Sequence, residues 1–430
     1  MERKFTEQLV KWKNFPRRMP LIVTGARQVG KTYGLLSFGK AHYKNVVYAN
    51  FENNPELHQL FERDLFPTRI LRELSVMTGE TILEGDTFII FDEIQTCERA
   101  LTSLKYFCEE APTYHIAAAG SLLGVTLNRA QYSFPVGKVD RMMLHPLDFE
   151  EFLWALNRKQ GSEMIRECFQ ENKPFPAGEV YLDLYKLYLL VGGMPQIVNE
   201  YIQNRDFEYV RALQKNINDA YIADMVKYAL PTETSKILAA FNSIPAQLAK
   251  ENHKFQYKVI KSGARAYDFE APLDWLQAAG IIHKCIKVAE SNFPLNLYAV
   301  PDSFKVYLSD IGLLSSKYNL PSNVLLANFS GFDHIKGALA ENYVLTALMA
   351  NTYQPFYWES QGKAEVDFVI QSKEGAVIPI EVKSSENTRS KSLRQYVSKY
   401  NPPYSIRISA KNFGFENQIK SVPLYAAFCI

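Results

Sequence analysis

The order of apolar runs along this 430-residue chain predicts an α/β protein. A parallel sheet wrapped by helices comes first, then a helical middle, then a second α/β unit. Three observations carry that expectation. Short apolar runs alternate with helical patterns in the N-terminal part, a glycine loop interrupts the first run, and mixed strand and helix patterns return towards the C-terminal end.

Residues 1–18 read as a basic amphipathic lead-in helix ending at Pro16-Arg17-Arg18. Leu21-Ile22-Val23-Thr24 is a short apolar run before a glycine, hence a buried strand, and Lys31 to about Gly39 follows as a helix. Val46 to Phe51, Phe88 to Phe91 and His115 to Ala119 are the next strands, with helical patterns between them such as Ala100 to Glu110. Strands alternating with helices imply a parallel sheet covered on both faces. After Pro146 the texture turns helical, with Leu147 to Asn157, Tyr181 to Leu190 and much of 205–230. Ser235 to Ala249, Gln256 to Lys261 and Asp268 to Ala279 read as three short helices, and Ile281 to Val288 and Phe304 to Leu308 as two strands. That order suits a winged-helix unit.

Composition excludes several classes. Hydrophobic residues make up 47% and aromatics 13%, so extended disorder is not expected. A net charge of +2 gives no global nucleic-acid signature, and any basic surface must be local. Cys97, Cys108, Cys168, Cys285 and Cys429 are scattered, which suggests neither a disulfide framework nor a zinc site. With no signal-like or membrane-spanning apolar run, a cytoplasmic protein without a membrane partner is the expectation.

Chemistry concentrates first at Gly25-Ala26-Arg27-Gln28-Val29-Gly30-Lys31-Thr32, a P-loop pattern between a strand and a helix. Its glycines let backbone amides wrap phosphate oxygens at a helix N-terminus. Lys31 would reach the β- and γ-phosphates, and Thr32 would offer its hydroxyl to Mg²⁺. In Phe88-Ile89-Ile90-Phe91-Asp92-Glu93, Asp92 would hold the magnesium shell and Glu93 would polarise the attacking water. ATP with Mg²⁺ is therefore the expected ligand; no Asn-Lys-x-Asp follows to read guanine. Ser121 after the fourth strand is a γ-phosphate sensor or a helix cap. Lys138 is a second phosphate contact or a solvated surface lysine, and Arg27 and Arg17-Arg18 are weaker candidates.

These residues resemble the prokaryotic AAA-type ATPases that carry a C-terminal domain of unknown function. The resemblance rests on 24–32, on Phe91-Asp92-Glu93-Ile94-Gln95, on Ala119-Gly120-Ser121 and on Pro135-Val136-Gly137-Lys138 through Leu144-His145-Pro146-Leu147-Asp148-Phe149-Glu150-Glu151-Phe152. Gly192-Gly193-Met194-Pro195 and Lys305 through Leu314 extend it to most of the chain. Two departures stand out: Lys138 replaces the arginine of many relatives, and Ala118-Ala119-Gly120-Ser121 lacks their threonine before the glycine. The resemblance implies this partition: lead-in helix 1–18, AAA-type P-loop ATPase domain 19–155, helical lid or linker 156–230, winged-helix-like domain 231–320, and restriction-endonuclease-like domain 321–430. Oligomerisation is left open.

A second set of acids lies in the last of these. Glu365-Val366-Asp367-Phe368-Val369-Ile370 and Val377-Ile378-Pro379-Ile380-Glu381-Val382-Lys383 flank a glycine turn and read as a hairpin. A Lys373-Glu374-Gly375 loop pairing Ser372 with Ala376 sets Asp367 opposite Glu381, about 5 Å apart. Two carboxylates that close repel unless a cation such as Mg²⁺ lies between them, and Lys383 falls on the same face. Glu341, on a helical pattern upstream, completes the acid and Glu-x-Lys set of the endonuclease-like fold, whose metal-activated water cuts phosphodiesters. The alternative is an ordinary Glu365–Lys383 cross-strand ion pair on a domain that binds without cutting. DNA or RNA, or a protein partner, is expected at the winged-helix region, where Lys250, Lys254, Lys258, Lys261 and Arg265 cluster.

Overall fold

The computed structural model describes residues 1–127, 135–250, 253–319, 333–360, 364–384 and 391–430. They form two compact units. One comprises Glu2–His145 with Ala278–Ile281, the other Met1, Pro146–Gln277 and Ile282–Ile430.

The first unit is built on five parallel strands: β1 (Leu21–Thr24), β2 (Asn45–Asn50), β3 (Thr87–Asp92), β4 (His115–Ala119) and β5 (Asp140–Met143). Their spatial order is β2-β3-β4-β1-β5, every neighbouring pair parallel. Strand β3 is buried along its whole length, which explains why it reads as one continuous apolar run. Helices Lys31–His42, Pro67–Thr78 and Glu98–Glu110 make the crossovers. On one face Ile22, Val47, Ile89 and Phe91 meet Leu74, Leu104 and Phe107 in a continuous core. Each such aromatic side chain, fully buried, contributes about 2–3 kcal/mol. The lead-in helix Lys4–Asn14 buries Phe5, Leu9 and Trp12, one face of an otherwise polar helix, and the Trp12 ring meets Phe88 and His115.

The second unit opens with helices Phe149–Ala155, Lys159–Glu171, Gly178–Val191, Pro195–Asn204 and Phe207–Tyr228. Asp148 starts the first of these through a reciprocal capping box with Glu151. The three short helices expected next are Pro231–Leu248, Tyr257–Ile260 and Ala266–Ala278. The two strands after them, β6 (Ile282–Val288) and β7 (Ala299–Leu308), pair antiparallel as a winged-helix hairpin would. However, β6 also pairs in parallel with β8 (Phe356–Ser360). The hairpin therefore extends one eight-stranded mixed sheet, and the 231–320 and 321–430 regions share it. The joint expected near 320 itself lies outside the described residues. The remaining strands are β9 (Ala364–Gln371), β10 (Val377–Val382), β11 (Ser405–Ser409), β12 (Gly414–Glu416) and β13 (Ile419–Pro423), in the order β12-β13-β11-β10-β9-β8-β6-β7. Helix Asp333–Ala350 precedes β8, and helix Lys391–Tyr400 packs its Tyr396 against Trp358 and Val366.

The motifs Gly192-Gly193 and Asp310-Ile311-Gly312 meet inside this unit. Asp310 Oδ1 accepts from Leu313 N at 2.8 Å, capping helix Ile311–Lys317, and Oδ2 accepts from Gly193 N at 2.7 Å. Gly192 has φ +77°, and a Cβ there would sit 2.5 Å from Asp310 Oδ1, so only glycine fits.

Candidate functional site

The phosphate loop leaves β1 at the C-terminal edge of the parallel sheet. Gly25 has φ +142°, and a Cβ there would lie 2.2 Å from Leu144 O. Gly30 is in the left-handed region and stands as N-cap of helix Lys31–His42 without a side chain to satisfy the first-turn amides. Lys31 is buried, and its Nζ donates to the carbonyls of Gly25 and Ala26 at 2.9 Å each. Arg3, from the start of the lead-in segment, donates to Val29 O at 3.3 Å and His145 O at 2.7 Å, tying the far side of the loop.

Because β4 lies between β1 and β3, the loop after β4 falls between the P-loop and the acidic end of β3. Thr32 Oγ1 donates to Asp92 Oδ2 at 2.9 Å, and Tyr48 OH donates to the same oxygen at 2.7 Å. Burial, then Asp92, push the Tyr48 phenol up to about 12, so it remains a donor. Glu93 follows with φ +50°, a conformation unfavourable for a non-glycine residue and frequent at functional sites. Its Oε2 accepts from Gln95 Nε2 at 2.5 Å and from Ser121 Oγ at 3.3 Å. A Cβ on Gly120 would overlap Gln95 Oε1, so the glycine before Ser121 makes room for this network. Thr32 and Asp92 already converge on one point, the donor set a Mg²⁺ shell requires, so these residues fit that cation.

Lys138 does not stand at the phosphate loop. It precedes β5, and β5 runs parallel to β1 with Leu21 opposite Asp140, which places Lys138 at the N-terminal edge of the sheet, away from the loop. There it pairs with Glu109 at 2.9 Å, both side chains partly exposed. Arg27 is exposed. The Lys250, Lys254 and Lys258 series does not form one helical stripe either. Helix Pro231–Leu248 ends before it, and Lys254 makes an isolated bridge to Lys305.

In the second unit the hairpin forms in the expected register, with Val377 opposite Gln371, Ile380 opposite Phe368, and Ser372 N donating to Ala376 O. Asp367 and Glu381 come next along that ladder. Helix Asp333–Ala350 brings Glu341 to the same cluster. The alternative Glu365–Lys383 pair does not form. Lys383 Nζ lies 2.7 Å from Glu381 Oε1, and Glu365 pairs instead with Lys305 of β7. Lys305 is fully buried, with its Nζ also 3.5 Å from Glu341 Oε2. His253 Nδ1 at 2.7 Å and Tyr307 OH at 3.0 Å share that same Glu341 oxygen. Asp367 Oδ2 accepts from Val382 N at 2.7 Å.

Electrostatics follow from this wiring. Burial works against the Glu341 charge, but Lys305 and His253 outweigh it and hold its carboxyl below the usual range. Burial, then Glu341 and Glu381, push the Asp367 carboxyl well above its ordinary value, against the lowering effect of Lys305 and Lys383. Among the described residues no group of three or more His, Cys, Asp or Glu is arranged to hold a metal. The Lys305 ammonium stands between Glu341 and Glu365, and that of Lys383 beside Glu381.

Sequence reasoning missed Tyr48, Gln95 and Arg3 at the first site and Lys305, His253 and Tyr307 at the second. A lone lysine inside the apolar run Phe304 to Leu308 was a readable signal for Lys305, since a buried charge needs partners. Nothing local marks His253.

Residues 17–153 match the AAA domain, 182–323 a domain of unknown function (DUF8612), and 336–427 a second one (DUF4143). The chain belongs to the AAA-type P-loop ATPases that carry C-terminal domains of unknown function. No curated protein matches it. Among solved structures, a Walker-type ATPase of Pyrococcus abyssi aligns with TM-score 0.44 at 15% identity over 74% of this chain and 95% of that one. The Aeropyrum pernix ORC2 protein in ADPNP–ADP complexes gives 0.35 at 13% over 80% and 91%, and A. pernix ORC1 in complex with DNA gives 0.29 at 13% over 75% and 92%. TM-scores this low do not establish a shared architecture across the chain. Among the described residues no helix is long and apolar enough to cross a membrane.

Proposed function

We propose that the chain is a Mg²⁺-dependent ATPase whose nucleotide state controls a C-terminal unit that binds nucleic acid. The observation that carries the reading is the convergence of Thr32, Asp92, Glu93 and Ser121 beside the Gly25–Thr32 loop, at the C-terminal ends of β1, β3 and β4. Thr32 and Asp92 would hold Mg²⁺, which supplies charge neutralisation at the β- and γ-phosphates. Lys31 would exchange the Gly25 and Ala26 carbonyls for phosphate oxygens without leaving the loop. Glu93 would orient the attacking water and take its proton, and Ser121 with Gln95 would hold that carboxylate in place. Lys258, Lys261 and Arg265 are exposed and offer the local positive charge a phosphate backbone needs. Phosphate release from ATP by purified protein, with and without DNA or RNA, tests this. Asp92→Asn with Glu93→Gln should retain ATP unhydrolysed. A folded wild-type protein that never turns over ATP would leave only a binding switch.

A second reading, binding without cleavage, is favoured over a nuclease by one observation. Lys305 pairs with Glu341 and Glu365 from inside the fold, and Lys383 pairs with Glu381, so protein cations already occupy the acids. We infer that this cluster stabilises the sheet and does not cut. Metal-dependent cleavage of any nucleic acid, abolished in Asp367→Ala, would overturn that.

A further inference from the structure

A pocket of about 430 Å³ lies between helix Lys391–Tyr400 and the ends of β11 and β13. Its polar lining is Arg394, Ser398, Ser405, Arg407, Asn417 and Gln418, with no aspartate or glutamate among the lining residues. Arg407 Nε is shielded from solvent and has no acceptor. The β10–β11 register sets Glu381 directly opposite Arg407, yet Glu381 Oε1 turns to Lys383 at 2.7 Å and its Oε2 pairs with neither. Arg394, the second guanidinium of the lining, is exposed. Leaving a shielded guanidinium N–H unpaired is costly, and no carboxylate lines the pocket beside it.

We propose that this pocket binds the phosphoryl group of a nucleoside phosphate, either a free nucleotide or the phosphorylated end of a strand. Two guanidinium forks, two hydroxyls and two side-chain amides offer more donors than a carboxylate can use, and match the several oxygens of a phosphate. Val397 and Ile419 supply an apolar wall for sugar or base. The volume suits one nucleotide. The site is separate from the P-loop, and its failure would leave the ATPase reading untouched.

The test is calorimetric titration of the full chain carrying Lys31→Ala, so that the P-loop does not compete. The probes are a nucleoside monophosphate and a single-stranded tetranucleotide with or without a 5′-phosphate. At least one phosphorylated probe should bind, and Arg407→Gln or Arg394→Gln should weaken it about tenfold or more. Saturation by the monophosphate alone assigns a free nucleotide, and binding of only the phosphorylated strand assigns a strand end. Silence from every probe, equal binding of both strands with no binding of the monophosphate, or unchanged affinity in both variants overturns the proposal. Arg394 is exposed, so its variant decides the matter if Arg407→Gln fails to fold.

Discussion

Lys31 gives two of its three N–H donors to the Gly25 and Ala26 carbonyls of its own loop. A triphosphate offers stronger, charged acceptors at the same place. Lys31→Met should weaken ATP binding by about a hundredfold or more, read by calorimetry, because a buried charge-assisted bond contributes about 1.5–3 kcal/mol and the triphosphate would meet more than one. Equal affinity in the variant would mean the loop is not the nucleotide site. Lys305 answers a different question. Lys305→Met strips the internal cation from buried acids and should cost about 3–5 kcal/mol at neutral pH, measured by urea unfolding. The sign of its pH dependence follows from Glu341, whose folded carboxyl lies below its unfolded value. Its stabilisation is present above the unfolded value and lost as pH falls through the folded one. The gap between wild type and Lys305→Met should therefore narrow below about pH 4.5. A gap that stays constant would remove Glu341 from the account.

Among the elements, Asp310 ties the Gly192-Gly193 turn to the start of helix Ile311–Lys317. Asp310→Ala leaves the Gly193 and Leu313 amides without their acceptor inside the fold and should cost about 2–4 kcal/mol. Burial raises the Asp310 carboxyl to about 6, against the lowering effect of its backbone N–H partners. Here the folded state holds the proton longer than the unfolded chain does. The contribution is complete below the unfolded value near 4 and is lost as pH rises through about 6. Denaturation curves between those pH values should slope downward in the wild type and flatten in Asp310→Asn; an unchanged slope would assign it to other acids. Element-level patterns were well exposed in the sequence. The buried β3 run, the strand–loop–helix around Gly25 and the 365–383 hairpin register all came from local periodicity and turn chemistry. Lys138 was misplaced because a loop's sequence position does not say which end of a parallel strand it joins.

For the molecule as a whole, the two compact units make nucleotide linkage measurable. Mg²⁺ with ATP at a hundred times its dissociation constant should stabilise the Glu2–His145 unit by about 2.7 kcal/mol. Scanning calorimetry should show that unit's transition rise by roughly 5–10 °C at this size. No displacement in a folded sample would sink the ATP reading. Sequence by itself determined what is local: which runs are strands, where glycine must stand, and which residue types could meet a phosphate or face each other across a hairpin. Tertiary structure alone decided which charges neutralise which. Lys305 and Glu365 come from different strands, His253 and Glu341 from segments far apart in the chain. A buried ion pair is chosen by where the whole fold removes water, and local sequence carries no record of that.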